Sequence, residues 1–153
     1  MACLLTFVAA SCDDDDDEKK VDFVEQSLGN YEAKCYIYDN DLNVLAEEKV
    51  SAKVSKKDDI VYINVDDYNF QVSALQNIDN GYLFKCKDSK DEDYKYTTNN
   101  LPDELLPTVQ ISSNGNYETK VVYGAYIEND GLYFAVRVYN DEEDMLLRFE
   151  LSK

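Results

Sequence analysis

The 153-residue chain carries 32 acidic against 15 basic residues, a formal charge of -17, and it has thirteen tyrosines but no histidine and no tryptophan. Charge of this sign and size repels nucleic-acid phosphates and anionic lipid head groups, so nucleic acid is excluded as a partner. The missing imidazole removes the commonest general base, the usual neutral metal ligand and the Ser-His and Cys-His pairs of nucleophilic hydrolases.

Residues 4–8 form a short apolar run, Ala9, Ala10 and Ser11 are small, and Cys12 is followed by Asp13, Asp14, Asp15, Asp16, Asp17 and Glu18. The run is far short of the ~20 residues a spanning helix needs, and removal as a signal is the natural alternative. Small residues directly before a cysteine resemble the lipobox of bacterial lipoproteins, with Ala9 where that pattern usually has Leu. The resemblance implies a signal peptide over 1–11, acylation of Cys12 by palmitate-like chains and attachment to a membrane, for which about two chains suffice. The acidic run repels itself and stays solvated, so 12–20 reads as an extended tether. Its place after the lipid cysteine also resembles the export signal of surface lipoproteins of the Bacteroidota. That implies an outer-membrane protein displayed at the cell surface, with the periplasmic face as the alternative.

Residues 21–153 are enough for one domain with a real core. Asp22 and Glu25 have the form of a capping box, Val21, Val24 and Leu28 fall on one helical face, and Gly29 can end the helix. The pattern predicts a two-turn helix. Everything after it alternates with period two. Tyr31, Ala33, Cys35 and Ile37 share one face of a first strand, and Val50, Ala52 and Val54 point inward from a second over 44–55. Strands over 60–65 and 68–75 follow. Asn80 and Gly81 signal a hairpin, and Tyr82, Phe84 and Cys86 form the inner face of the next strand. Residues 88–93 read as loop. Residues 94–98 and 108–112 are weaker strands on either side of a loop that holds Pro102 and Pro107. One strand is read over 117–127. Leu132, Phe134, Val136 and Val138, then Met145, Leu147, Phe149 and Leu151, are the core faces of the last two.

Short antiparallel strands at regular spacing predict an all-β fold, an up-and-down barrel of about eight to ten strands. Closure removes the exposed edges that an open sheet would leave; an open β-sandwich is the alternative. A short helix running into Gly29, Asn30 and Tyr31 at the start of the first strand resembles the opening motif of the calycins and lipocalins, where a helix precedes glycine, any residue, then tryptophan. Tyr31 stands where tryptophan is usual. The resemblance implies a calycin-like barrel in which an arginine on a late strand, Arg137 or Arg148, packs over that ring, and it gives Tyr31 a structural role only.

The candidate functional residues follow from these faces. Tyr82, Phe84, Tyr123 and Phe134 are assigned to the interior, where they fill a core or border an apolar pocket. Tyr36, Tyr38, Tyr62, Tyr133 and Tyr139 point outward, and an exposed belt of such rings suits sugars or a protein partner. Cys35 and Cys86 remain in the mature domain in an oxidising compartment, and spacing leaves open whether they are bridged. Asp39, Asp41 and Asn43 imitate the opening of a calcium loop, but Val44 stands where glycine is required and Val50 where a bidentate glutamate belongs, so no metal site is assigned. No phosphate-binding glycine loop, nucleophile elbow or zinc cysteine pair occurs, so neither an enzyme nor a cofactor is expected. The expectation is a lipid-anchored binding module. A small apolar ligand in the barrel is the first reading, and a glycan or protein on exposed tyrosines is the second. A carboxylate-dependent glycoside hydrolase is the third.

Overall fold

A computed structural model describes residues 21–90, 93–113 and 115–153. The signal, Cys12 and the acidic tether assigned above lie outside the described residues. After one short helix, α1 (Phe23–Ser27), the chain is antiparallel strand throughout: β1 (Gly29–Tyr38), β2 (Val44–Lys57), β3 (Ile60–Val65), β4 (Tyr68–Ile78), β5 (Gly81–Cys86), β6 (Ser89–Lys90), β7 (Lys95–Thr97), β8 (Thr108–Ser113), β9 (Asn116–Val121), β10 (Gly124–Ile127), β11 (Gly131–Tyr139) and β12 (Asp144–Ser152). A 3-10 turn covers Asp103–Leu105.

The main sheet runs β10-β5-β4-β3-β2-β1-β12-β11-β7-β6, and β10 also pairs with β11. That last pairing closes an eight-stranded ring, the barrel predicted from the alternation. One slot of the ring is shared: β11 pairs with β10 through Gly131, Leu132, Tyr133 and Phe134, and with β7 through Arg137, Val138 and Tyr139. The chain leaves the ring between β7 and β10. Within that excursion β8 and β9 form a separate two-stranded sheet.

Turn chemistry sets the registers. Asp58 and Asp59, both at positive φ (53° and 64°), make the two-residue connection between β2 and β3, the geometry whose twist matches flanking strands. Gly81 serves another purpose than the turn assigned to it. A Cβ there would run into the Tyr126 carbonyl of β10, so glycine is needed for the close approach of two backbones.

Three sequence expectations are corrected by tertiary contacts. The helix is five residues long, and it buries Phe23 and Ser27 while Val21 is exposed. β4 runs on to Ile78 across a bulge, with Ala74 at φ 51° and the register shifting between Ser73 and Gln76. The single strand read over 117–127 is two, β9 and β10, which belong to different sheets.

The interior is filled. Phe70, Phe84, Phe134 and Phe149 are each at most 4% exposed. Phe134 stacks on Phe149 at 4.8 Å and meets Phe70 and Phe84 at 5.4 and 6.0 Å between ring centres. α1 plugs one end. The Ser27 hydroxyl donates to the Val24 carbonyl (2.7 Å), so its contact with the Tyr82 hydroxyl at 2.8 Å has Tyr82 as donor. Tyr31 donates to the Ser27 carbonyl at 2.6 Å. The opposite end is closed by Tyr68, Tyr94 and Tyr96, packed edge to face. A smaller cluster lies outside the ring, where Leu105 of the 3-10 turn covers Ala135 and Leu146 beside Tyr38 and Leu42.

Candidate functional site

The residues assigned to the interior separate into two groups. Tyr82, Phe84 and Phe134 are 0%, 4% and 1% exposed and belong to the packed core. Tyr123 does not join them. It is 43% exposed, with the Lys85 ammonium 6.0 Å from its ring centre, because the chain leaves β9 and turns toward β10 at this point. Burial raises the Tyr82 hydroxyl to about 12.

Cys35 on β1 and Cys86 on β5 are both buried free thiols. Burial, with Glu48 and Asp66 adding charge repulsion, pushes Cys35 up to about 12, and burial alone raises Cys86. Such thiols behave as small hydrophobes.

The five outward tyrosines are half-buried and do not form a continuous belt. Tyr36 lies under Arg148, whose guanidinium is 5.7 Å from the ring centre, and Tyr139 has Lys95 at 5.8 Å. Tyr38 packs into the cluster under the 3-10 turn. Tyr62 stands on β3, away from the others. Tyr133 donates to Asp130 at 2.6 Å and flanks a groove.

That groove, of about 580 Å³, crosses the outer wall formed by β11, β12, β1 and β2, with Tyr133, Glu150, Lys34, Lys49, Glu32 and Ser51 among its lining. Register explains how it is built. Tyr133, Glu150, Lys34 and Lys49 form one row straight across the four strands, and Ser152, Glu32 and Ser51 form the next. Lys34 therefore faces Lys49 directly, a like-charge opposition that costs stability in a sheet. Among the described residues neither ammonium has an ion-pair partner, whereas Glu150 is held by Arg148 at 2.7 Å. One aromatic ring, two unpaired ammonium groups, two carboxylates and two hydroxyls thus converge on one open channel.

Lys34, Lys49, Glu32 and Glu150 were not candidates from sequence. Alternation puts Glu32 and Lys34 on the outer face, but only ring closure makes β12 the neighbour of β1. The cation over Tyr31 is likewise a different residue. Lys153, not Arg137 or Arg148, lies 5.2 Å from that ring centre and donates to the carbonyls of Gln26 (2.7 Å) and Leu28 (3.0 Å) at the end of α1. Arg137 instead pairs with Asp144.

The Asp39 segment is a turn. Its carboxylate accepts from the amides of Asp41 and Asn43 and from the Asn43 side chain, which holds the carboxyl below the usual range. Among the described residues no group of three metal-ligating side chains converges, and no helix is long and apolar enough to cross a membrane. Comparison with protein-family models, curated proteins and solved structures gave no match.

Proposed function

We propose that the chain is a non-catalytic, lipid-anchored envelope lipoprotein whose calycin-like barrel is a rigid scaffold for binding a glycan in the groove beside Tyr133. The observation that carries this reading is the contrast between inside and outside. The ring interior is occupied by Phe70, Phe84, Phe134 and Phe149, which weighs against an apolar ligand in the barrel, while the outer wall offers an open polar channel of ligand size. Sugars present flat C–H faces and many hydroxyls. Tyr133 supplies a ring for the former; Glu32, Glu150, Lys34, Lys49 and Ser51 supply acceptors and donors for the latter. The Lys34 and Lys49 opposition favours glycans that carry a carboxylate or sulfate. The calycin likeness is supported by the short helix that runs into Gly29 at the start of β1 and by the cation over Tyr31, a lysine in the place the family gives to arginine.

Attachment at Cys12 sets this domain on the outer membrane, with the acidic tether holding it clear. Screening the full chain on an array of neutral and acidic glycans tests the binding. The expected result is retention of an acidic glycan, lost in Tyr133→Ala and weakened at least about tenfold in Lys34→Ala/Lys49→Ala, as for loss of charge-assisted contacts. Binding unchanged in both variants, or no retention at all, overturns the reading. Labelling cells with radioactive palmitate, beside Cys12→Ser, tests the anchor; no label in the unaltered chain removes it.

A further inference from the structure

Among the described residues the two-stranded sheet in the excursion between β7 and β10 leaves both β8 and β9 with an unpaired edge, and β9 is the strand that is exposed along its whole length, whereas β8 buries Val109. β9 pairs with β8 on one side, and among the described residues it has no strand on the other. All six of its residues are exposed, including Tyr117 at 75% and Val121 at 48%. Exposed edges of this kind template pairing with another chain unless they are blunted.

The backbone phase of this edge can be read from the hairpin. Val122 donates to the Pro107 carbonyl at 2.9 Å, continuing the register in which Val121 faces Thr108. Hydrogen-bonded and non-hydrogen-bonded pairs alternate in an antiparallel ladder. Lys120, Glu118 and Asn116 therefore spend their backbone groups on β8, and those of Tyr117, Thr119 and Val121 point to the open side.

We propose that this edge pairs with the same edge of a second copy, antiparallel about Thr119, joining two barrels through a four-stranded intermolecular sheet. The sequence Asn116-Tyr117-Glu118-Thr119-Lys120-Val121 is complementary to itself in that register. Thr119 meets Thr119 on the two-fold axis. Tyr117 meets Val121 of the second copy, and Val121 meets its Tyr117, so every hydrogen-bonded pair uses the backbone groups that the hairpin leaves open. Glu118 meets Lys120 and Lys120 meets Glu118 in the non-hydrogen-bonded positions, where side chains come closest. Aromatic with β-branched, Thr with Thr and acid with base are the cross-strand pairs that favour a sheet. A two-fold contact must be self-complementary in this sense. The proposal is independent of the groove.

Charge reversal tests it. Sedimentation velocity of the full chain is run at about 0.15 M salt, where repulsion between the acidic bodies is screened beyond about 8 Å. The unaltered chain is expected to form a dimer. Glu118→Lys alone and Lys120→Glu alone place like charges opposite each other and are expected to weaken it at least about tenfold. Mixing the two variants in equal amounts restores dimer, because each then faces its complement. Thr119→Pro removes an amide that β8 does not use, so the hairpin keeps its fold while dimer is lost. A chain that stays monomeric throughout overturns the proposal. So does a dimer that either reversal or Thr119→Pro leaves unchanged, or single variants whose mixture does not recover.

Discussion

Replacing Phe134 with alanine tests directly whether the ring is a packed core rather than a container. Its side chain is 1% exposed and touches three other rings, the nearest stacked at 4.8 Å. Truncating a phenylalanine in such a site costs about 3–5 kcal/mol, because the transfer free energy is lost and the walls close only in part. With a urea m-value of about 2 kcal/mol/M the unfolding midpoint falls by about 2 M. The variant then holds a dry void on the order of 100 Å³, the kind of space that admits benzene. Benzene should therefore raise the urea midpoint of Phe134→Ala and leave that of the unaltered chain where it was, since a ligand stabilises only the form it binds. Urea titrations with and without benzene measure both effects. A loss under about 1 kcal/mol, or benzene stabilisation of the unaltered chain, would refute the argument that the rings fill the barrel.

Other expectations concern the plug, the acid limb and the thiols. Lys153→Met removes the cation from the end of α1 and from the Tyr31 ring, and the melting temperature should drop by about 2–4 °C; Lys153→Arg should retain most of it. Asp39 and Asp144 both have carboxyls held below the usual range, Asp39 by hydrogen bonds from Asn43 and Asp144 by the two that Arg137 donates to its carboxylate oxygens. Their stabilising effect is complete above the unfolded carboxylate value of about 3.9 and disappears as pH falls through the lower folded values. Urea midpoints taken down this acid range should decline less steeply in Asp39→Asn and Asp144→Asn. Cys35 and Cys86 should resist iodoacetamide at about pH 8, near the ordinary thiol value, and react at once in denaturant. Mass spectrometry showing rapid native labelling would contradict their burial.

Strand faces were readable from the sequence because each is a local pattern. Tyr31, Ala33 and Cys35, Tyr82, Phe84 and Cys86, and Leu147, Phe149 and Leu151 all point inward as alternation requires. What failed depends on residues distant in sequence. Ser27 looks like an ordinary surface serine, and it is buried because Tyr82, 55 positions away, bonds to it. Period two runs without a break from Tyr117 to Ile127, so nothing local separates the strand that joins β8 from the strand that closes the ring. The groove has no local signal either. Lys34 and Lys49 are two of many surface lysines until the pairing of β1 with β2 sets them face to face.

Ring closure and the two proposed binding surfaces are linked through the shared slot on β11. β10 covers only the first four residues of that edge and β7 only three further along, so the barrel closes without using the chain between them. That stretch holds both prolines, the 3-10 turn that shields Ala135 and Leu146, and the free edge of β9. A closed barrel has no edge of its own to offer a partner. The Tyr133 groove therefore depends on the wall, where side chains stand on backbone fixed by pairing on both sides. The β9 edge depends on the excursion, where backbone groups are still open. Substitutions at Glu118 or Lys120 and substitutions at Lys34 or Lys49 act on separate parts of one scaffold, so the first pair should leave the proposed glycan binding unchanged and the second pair the proposed association.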